Sequence, residues 1–476
     1  MGTSRATVIH DRSEAALARR VARYLRIARF ALIASAVTGL SGLGALLLMS
    51  PEAYSIISSL VFIPSLAIAC TVAVASFTWH DAYLRRLMFA SLWAHIAASA
   101  LFLWIGFAVY GGTADAFHYW TVGLMRAADF QSLGWAAFPG PYWSTNLIGN
   151  ICGVAALLIG DALPTAFIAF ALVPLGGTYL FYRAFEVAFP NGDRWLFGVL
   201  VALLPSLLFW TSFVGKDSLI QIFIALTCFG FARVIVQTDL RAVLACAIGL
   251  FGVLLIRVHI AIMLAIAITF PFAVSRSRAG RANIVLKILL VPLLTWGTYI
   301  LIRNAQSMLG LPDNPSATVL DQEKAAALNS QIGGSAFNGG ASLPVRISEA
   351  PFLMFRPFPW EVHNLLGIAS AVESLGWICL CWSRRREIWW TIRHWRDPYI
   401  SFLLVYAFVF VIMFAGAINN FGILLRQRIM LTPLALMVIC AKTRSLEPAG
   451  TRESGTKGRL FGTPGRWRSD RMPTAT

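Results

Sequence analysis

Two arginines, Arg426 and Arg428, interrupt the stretch "NNFGILLRQRIMLTP", which is otherwise apolar enough to sit in a bilayer. A guanidinium group grips a phosphate or carboxylate through a fixed two-pronged geometry, and in lipid it is costly without such a partner. Two partners suit them: the phosphate of a lipid-linked ligand, or Glu373, which interrupts another apolar run. The stretch "PSLLFWTSFVGKDSL" raises the same question. Lys216 and Asp217, fenced by Ser212, Gly215 and Ser218, stand between two apolar runs. Asp217 reads as a cap of the following helix. Lys216 either snorkels to the interface or contacts an anion such as phosphate beside that helix N-terminus.

Three more stretches carry ionisable groups. In "LLIRVHIAIML", Arg257 and His259 lie between apolar runs with no loop to hold them. Such residues face a cavity or a partner, here Asp115, Asp217 or Glu361. In "YGGTADAFHYWTVGLMRAADF", a helix starting at Asp115 puts Asp115, His118, Tyr119, Val122, Arg126 and Asp129 on one face. Phe117, Trp120, Leu124 and Ala128 fall on another, which predicts an amphipathic helix at the outer interface with its aromatic rings in the headgroup zone. Asp115 either caps that helix or acts as a general base facing a cavity, and Gly111 and Gly112 before it permit close backbone approach. In "FRPFPWEVHNLLGIASAVE", Arg356, Glu361, His363 and Asn364 crowd the start of a helix that carries Glu373 further in.

The elements that must position these residues are apolar helices. Of the 476 residues, 58% are hydrophobic and 13% charged, and the mean hydropathy is +0.70. Soluble domains carry about 25% charged residues, so lipid is the expected solvent. Long apolar runs recur at 29–49, 55–77, 87–110, 195–214, 217–236, 242–257, 259–275, 284–303, 361–382, 398–418 and 421–441. Only helices satisfy their own backbone at such depth. The stretch 146–182 reads as a short run, a break at Asp161 to Pro164, and a longer run. The fold class expected is therefore all-α, a polytopic membrane protein.

Charge placement sets the topology. The formal charge of +17 resides in the arm 1–28, in short loops and in the tail 442–476. All the basic loops face the cytoplasm together if 146–182 makes one net crossing, which gives about twelve net crossings with both termini inside. The polytopic domain then spans 29–441, with 111–145 and 304–360 as outer loops. The remaining polar residues fall on that same outer face: the 212–218 turn, the Arg257/His259 junction and 419–422. The loop around "SQIGGSAFNGGASLP" reads as mobile and the basic tail as disordered.

Several functions are excluded by composition. No basic stripe interleaves with aromatics as nucleic-acid binding requires. The seven cysteines lie in apolar segments with no disulfide or metal spacing. No cleavable signal peptide is expected, and no Walker loop, HExxH or GxSxG context is present. No repeat of the kind common in transporters is visible.

With an acidic residue in its first large outer loop and a basic outer surface, the chain resembles the GT-C superfamily of integral-membrane glycosyltransferases over roughly 88–440. The stretches "FWTSFVGKDSL", "RPFPWEVHN" and "NFGILLRQR" also look like those of membrane proteins associated with bacterial surface polysaccharides. The resemblance implies a multi-pass protein of the bacterial inner membrane. It would transfer sugar from a polyprenyl-phosphate-linked donor to a glycan or lipid acceptor. By that resemblance Asp115 would be the base, and Lys216, Arg257, Arg426 and Arg428 would hold the donor phosphate. His118, Tyr119, Asp217, His259, Arg356, Glu361 and His363 would support the substrate, and the 304–350 segment would close over the acceptor. Ala116 follows Asp115 where a metal site would want a second carboxylate, so the resemblance leaves a divalent metal open and requires none. A polymerase or ligase using a diphosphate donor, and a transporter or flippase of lipid-linked saccharide, remain alternatives.

Overall fold

A computed structural model describes residues 51–237, 239–274, 352, 354–362, 364–415 and 421–442. The expected arm, tail and 304–350 segment, the apolar runs 29–49 and 284–303, His363 and Asn419-Asn420 lie outside the described residues.

The described residues are helical, with no strand among them. In chain order the helices are α1 Pro51–Phe77, α2 Ala82–Ala108, α3 Asp115–Leu133, α4 Ser144–Ile159, α5 Leu163–Ala188, α6 Arg194–Leu203, α7 Pro205–Thr211 and α8 Lys216–Gln237. They continue as α9 Leu240–Ile256, α10 Val258–Val274, α11 Leu365–Ser383, α12 Arg385–Arg393, α13 Pro398–Ala415, α14 Phe421–Arg428 and α15 Thr432–Cys440.

Five of these helices are long and apolar enough to cross a membrane, or eight spans if each of three bent pairs counts as one. The bent pairs are α6–α7 (41°), α12–α13 (109°) and α14–α15 (55°). The chain is thus a membrane protein by the length and composition of its helices. The 146–182 stretch forms the short α4 and the 26-residue α5, separated where Gly160 takes φ 65°.

Local sequence explains the ends. Asp81 accepts from the Leu84 N–H (2.9 Å), Asp193 from Leu196 (3.1 Å) and Asn364 from Gly367 (2.6 Å), each satisfying an amide the first helical turn leaves free. The run 361–382 is accordingly shorter than its hydropathy suggests, since α11 starts at Leu365 after the Asn364 cap.

Two runs expected as continuous spans are broken, both at prolines. Pro205 opens α7, and Ser206 no longer bonds the carbonyl of Ala202. The Ser206 N–H donates instead to Glu373 Oε2 of α11 (2.8 Å), while Ser91 Oγ of α2 donates to Ala202 O (3.1 Å). Pro433 in α15 has no N–H to offer the carbonyl of Ile429, and Gln221 Nε2 of α8 donates to it (2.9 Å). Non-helical backbone is tolerated in a membrane interior only where such partners exist. These side chains supply them.

The main core gathers buried residues of α5, α8, α10, α13 and α15, including Phe181, Phe231, Met263, Phe402, Tyr406 and Met437. A second apolar cluster lies under α3 and α4, where Phe102, Tyr119, Trp120, Ile148, Phe167 and Phe213 pack together. Phe213 stacks on Phe102 with ring centroids 4.0 Å apart. α8 and α9 approach closely through glycines: a Cβ on Gly230 would lie 2.4 Å from the Cys246 amide nitrogen.

Candidate functional site

The site is built where α3, α8, α14 and the α9–α10 junction meet. Asp217, in the first turn of α8, is its centre. Its side chain is fully buried, and Oδ1 accepts from Arg257 Nη2 (2.6 Å) while Oδ2 accepts from Arg426 Nε. An unpaired carboxylate at this depth would be prohibitively costly, and two guanidinium groups offset that cost. The expected helix cap is therefore corrected: Asp217 spends its oxygens on Arg257 at the α9–α10 junction and Arg426 of α14.

Arg426 joins this buried pair to the surface. Its Nη1 donates to Asp115 Oδ2 (2.5 Å), and its guanidinium lies over the Phe213 ring, 5.7 Å from the centroid. Asp115 occupies the first position of α3, Ala114 holds the cap position, and no side-chain cap bond is made there. The Asp115 side chain is 61% exposed, against 17% for Arg426 and 0% for Asp217. A single guanidinium thus bridges one accessible and one inaccessible carboxylate.

Lys216, beside this cluster, also reaches α4. Its Nζ donates to Thr145 Oγ1 (2.7 Å) and Ser144 Oγ (3.1 Å) at the start of α4. Both hydroxyls escaped the sequence reading, although Ser-Thr-Asn before an apolar run is a helix-start signal that marks residues close to an interface. The buried atoms Arg257 Nε, His259 Nε2 and Ser212 Oγ have no hydrogen-bond partner among the described residues. His259 lies edge-on to Phe414, with centroids 5.8 Å apart.

α3 differs from the expected interfacial helix. Tyr119 and Trp120 are buried, and the indole N–H donates to Asp161 Oδ1 (3.1 Å). The reason is α4, which covers this face: Arg126 donates to Asn146 O (2.9 Å) and Asn150 Oδ1 (2.5 Å). Gly123 permits the contact, since a Cβ there would lie 2.5 Å from that of Cys152. Burial pushes the Tyr119 phenol up from its ordinary value. His118 remains exposed beside Tyr119.

Arg428 belongs to a separate group. It lies in the last turn of α14, just before the break, and is almost completely buried. Nη1 donates to Met354 O (2.9 Å), Arg356 O (3.0 Å) and Ser374 Oγ (3.3 Å). Nη2 faces Glu373 Oε1 at 3.6 Å. Of its two expected partners, the structure supplies the carboxylate, and places Arg428 apart from the Asp115–Arg426–Asp217 cluster. Arg356 pairs with Glu361 (2.5 Å), and Glu361 also accepts from the Phe358 N–H (2.8 Å).

Asp115, Asp217, Arg257 and Arg426 are thus brought together, with Lys216 next to them. Arg428, Arg356 and Glu361 form the neighbouring structural group. Among the described residues, no three of His, Cys, Asp and Glu converge as metal ligands would. The arrangement can bind an anion at Arg426 and Lys216, and it offers one exposed carboxylate able to accept a proton. Comparison with family models, curated proteins and solved structures finds no match.

Proposed function

We propose that the protein is a membrane-embedded glycosyltransferase. It moves a sugar from a polyprenyl-phosphate-linked donor to a glycan or lipid acceptor at the outer face of a bacterial inner membrane. The observation that carries this reading is Arg426, which links an exposed carboxylate to a buried cationic cluster at the ends of apolar helices. A polyprenyl chain resides in lipid with its phosphate at the interface, where such a cluster has its use. About twelve crossings, cytoplasmic termini and a GT-C architecture are part of the same proposal.

The step is an inverting displacement. Asp115 takes the proton of the acceptor hydroxyl, the acceptor oxygen bonds to the anomeric carbon, and the bond from that carbon to phosphate oxygen breaks. The electron pair leaves on the phosphate, whose charge Arg426 and Lys216 stabilise. Arg257 positions Arg426 through Asp217. No metal is needed for this bookkeeping of charge.

The test uses purified protein in lipid nanodiscs with radiolabelled polyprenyl-phosphate sugars and an acceptor glycan. Transfer by the wild type and its loss in Asp115→Asn, with donor binding retained, support the assignment. Full transfer by Asp115→Asn removes the base, and unaltered donor binding in Lys216→Met removes that phosphate contact.

The broken helices favour a second reading. Discontinuous helices with a buried Glu373 and Arg428 at the breaks suit a transporter or flippase of lipid-linked saccharide. Movement of labelled lipid across proteoliposomes without sugar transfer would select it.

A further inference from the structure

Arg426 holds two carboxylates that differ in what their removal would cost. Asp217 is fully enclosed and also neutralises Arg257, so replacing it would strand a buried cation. Asp115 is mostly exposed, and an exposed ion pair contributes only about 0–1 kcal/mol. It also stands on an adaptable entry. Gly111 (φ 56°) and Gly112 (φ 78°) lead into α3, and a Cβ at Gly111 would meet none of the described residues within 4 Å. An anion arriving at Arg426 therefore meets one bond that is easily exchanged and one that is not.

Charge favours the exchange. Lys216, Arg257 and Arg426 against Asp115 and Asp217 leave a net +1, three cations less two anions. With Asp115 swung away, the remaining four groups carry +2. We infer that Asp115 is a placeholder on Arg426, which a phosphate oxygen of a lipid phosphate ester, or of free phosphate, displaces by taking the same Nη1 hydrogen bond. As a deepening of the glycosyltransferase reading, on which its catalytic meaning rests, binding of the donor then releases the base. Before the donor arrives, Asp115 is occupied. Once the phosphate holds Arg426, the carboxylate is free to accept a proton from an acceptor hydroxyl.

The experiment measures binding rather than turnover. Full-length protein in nanodiscs is titrated with farnesyl phosphate and, separately, with inorganic phosphate, in wild type, Asp115→Asn and Asp129→Asn. Asp129 is an exposed carboxylate on the same helix and controls for the change in net charge. The expected result is about two- to fivefold tighter binding in Asp115→Asn, the size of an exposed ion pair, with Asp129→Asn unchanged. Tightening for farnesyl phosphate alone assigns a lipid headgroup, tightening for both probes assigns the phosphate group itself, and either supports displacement. Unchanged or weaker binding in Asp115→Asn, or equal tightening in Asp129→Asn, overturns it. Tighter binding without any sugar transfer by the wild type would leave the placeholder standing and remove the enzyme. Transfer with unchanged binding in Asp115→Asn would do the reverse.

Discussion

Glu373 of α11 accepts the hydrogen bond that Ser206 of α7 would give to Ala202 in an unbroken helix. The same carboxylate faces the buried guanidinium of Arg428. It therefore does two jobs, one for a helix end and one for a charge. Glu373→Ala leaves both unserved and is expected to destabilise by about 3–5 kcal/mol. Glu373→Gln keeps an oxygen for Ser206 and is expected to cost about 1–3 kcal/mol. Unfolding of the purified protein in detergent distinguishes them, and equal losses would refute the division of labour.

Asp217 and Asp115 share Arg426 but should differ sharply when removed. Asp217→Asn uncovers two buried guanidinium groups and is expected to cost about 3–5 kcal/mol. Asp115→Asn is expected to cost under about 1 kcal/mol, because its partner bond is exposed. Parallel unfolding curves of the two variants check this. Matching stability losses would contradict the burial difference.

Gln221→Leu deprives the Ile429 carbonyl of the donor that Pro433 cannot provide. A buried acceptor left without a partner costs about 1–3 kcal/mol. Replacing Pro433 by Ala in that background restores a backbone N–H and should recover part of the loss. A double-mutant cycle measures the recovery, and strict additivity would dissociate the two residues.

Gly230→Ala places a methyl group against the α9 backbone and is expected to destabilise by about 1–3 kcal/mol. Gly376→Ala, on α11, meets none of the described residues within 4 Å and is expected to be neutral or stabilising by up to about 1 kcal/mol. Thermal unfolding of both variants makes the comparison.

The sequence carries the helices and their polar interruptions, because hydropathy and proline are local properties. It also narrows Arg257 to three partners and Arg428 to two, since few carboxylates are available to buried cations. Long-range features escape such reading. An aspartate in the first turn of a helix looks like a cap whether or not two distant arginines reach it, and Asp217 is such a case. The breaks at Pro205 and Pro433 depend on Ser91, Gln221 and Glu373, which lie on other helices and give no local signal. The burial of Trp120 has the same origin: the face of α3 was legible, but its covering by α4 is a long-range contact.

The pairing of Asp217 has a consequence for biogenesis. Arg257 follows Asp217 by 40 residues and can neutralise it as soon as α8 to α10 enter the bilayer together. Arg426 lies 209 residues beyond Asp217 and 311 beyond Asp115. Synthesis must pass more than three hundred residues beyond Asp115 before the guanidinium that ties the two carboxylates emerges. A chain halted before α14 would therefore carry a half-neutralised Asp217 and an untethered α3. The cell's membrane-protein surveillance could read that state as unfinished.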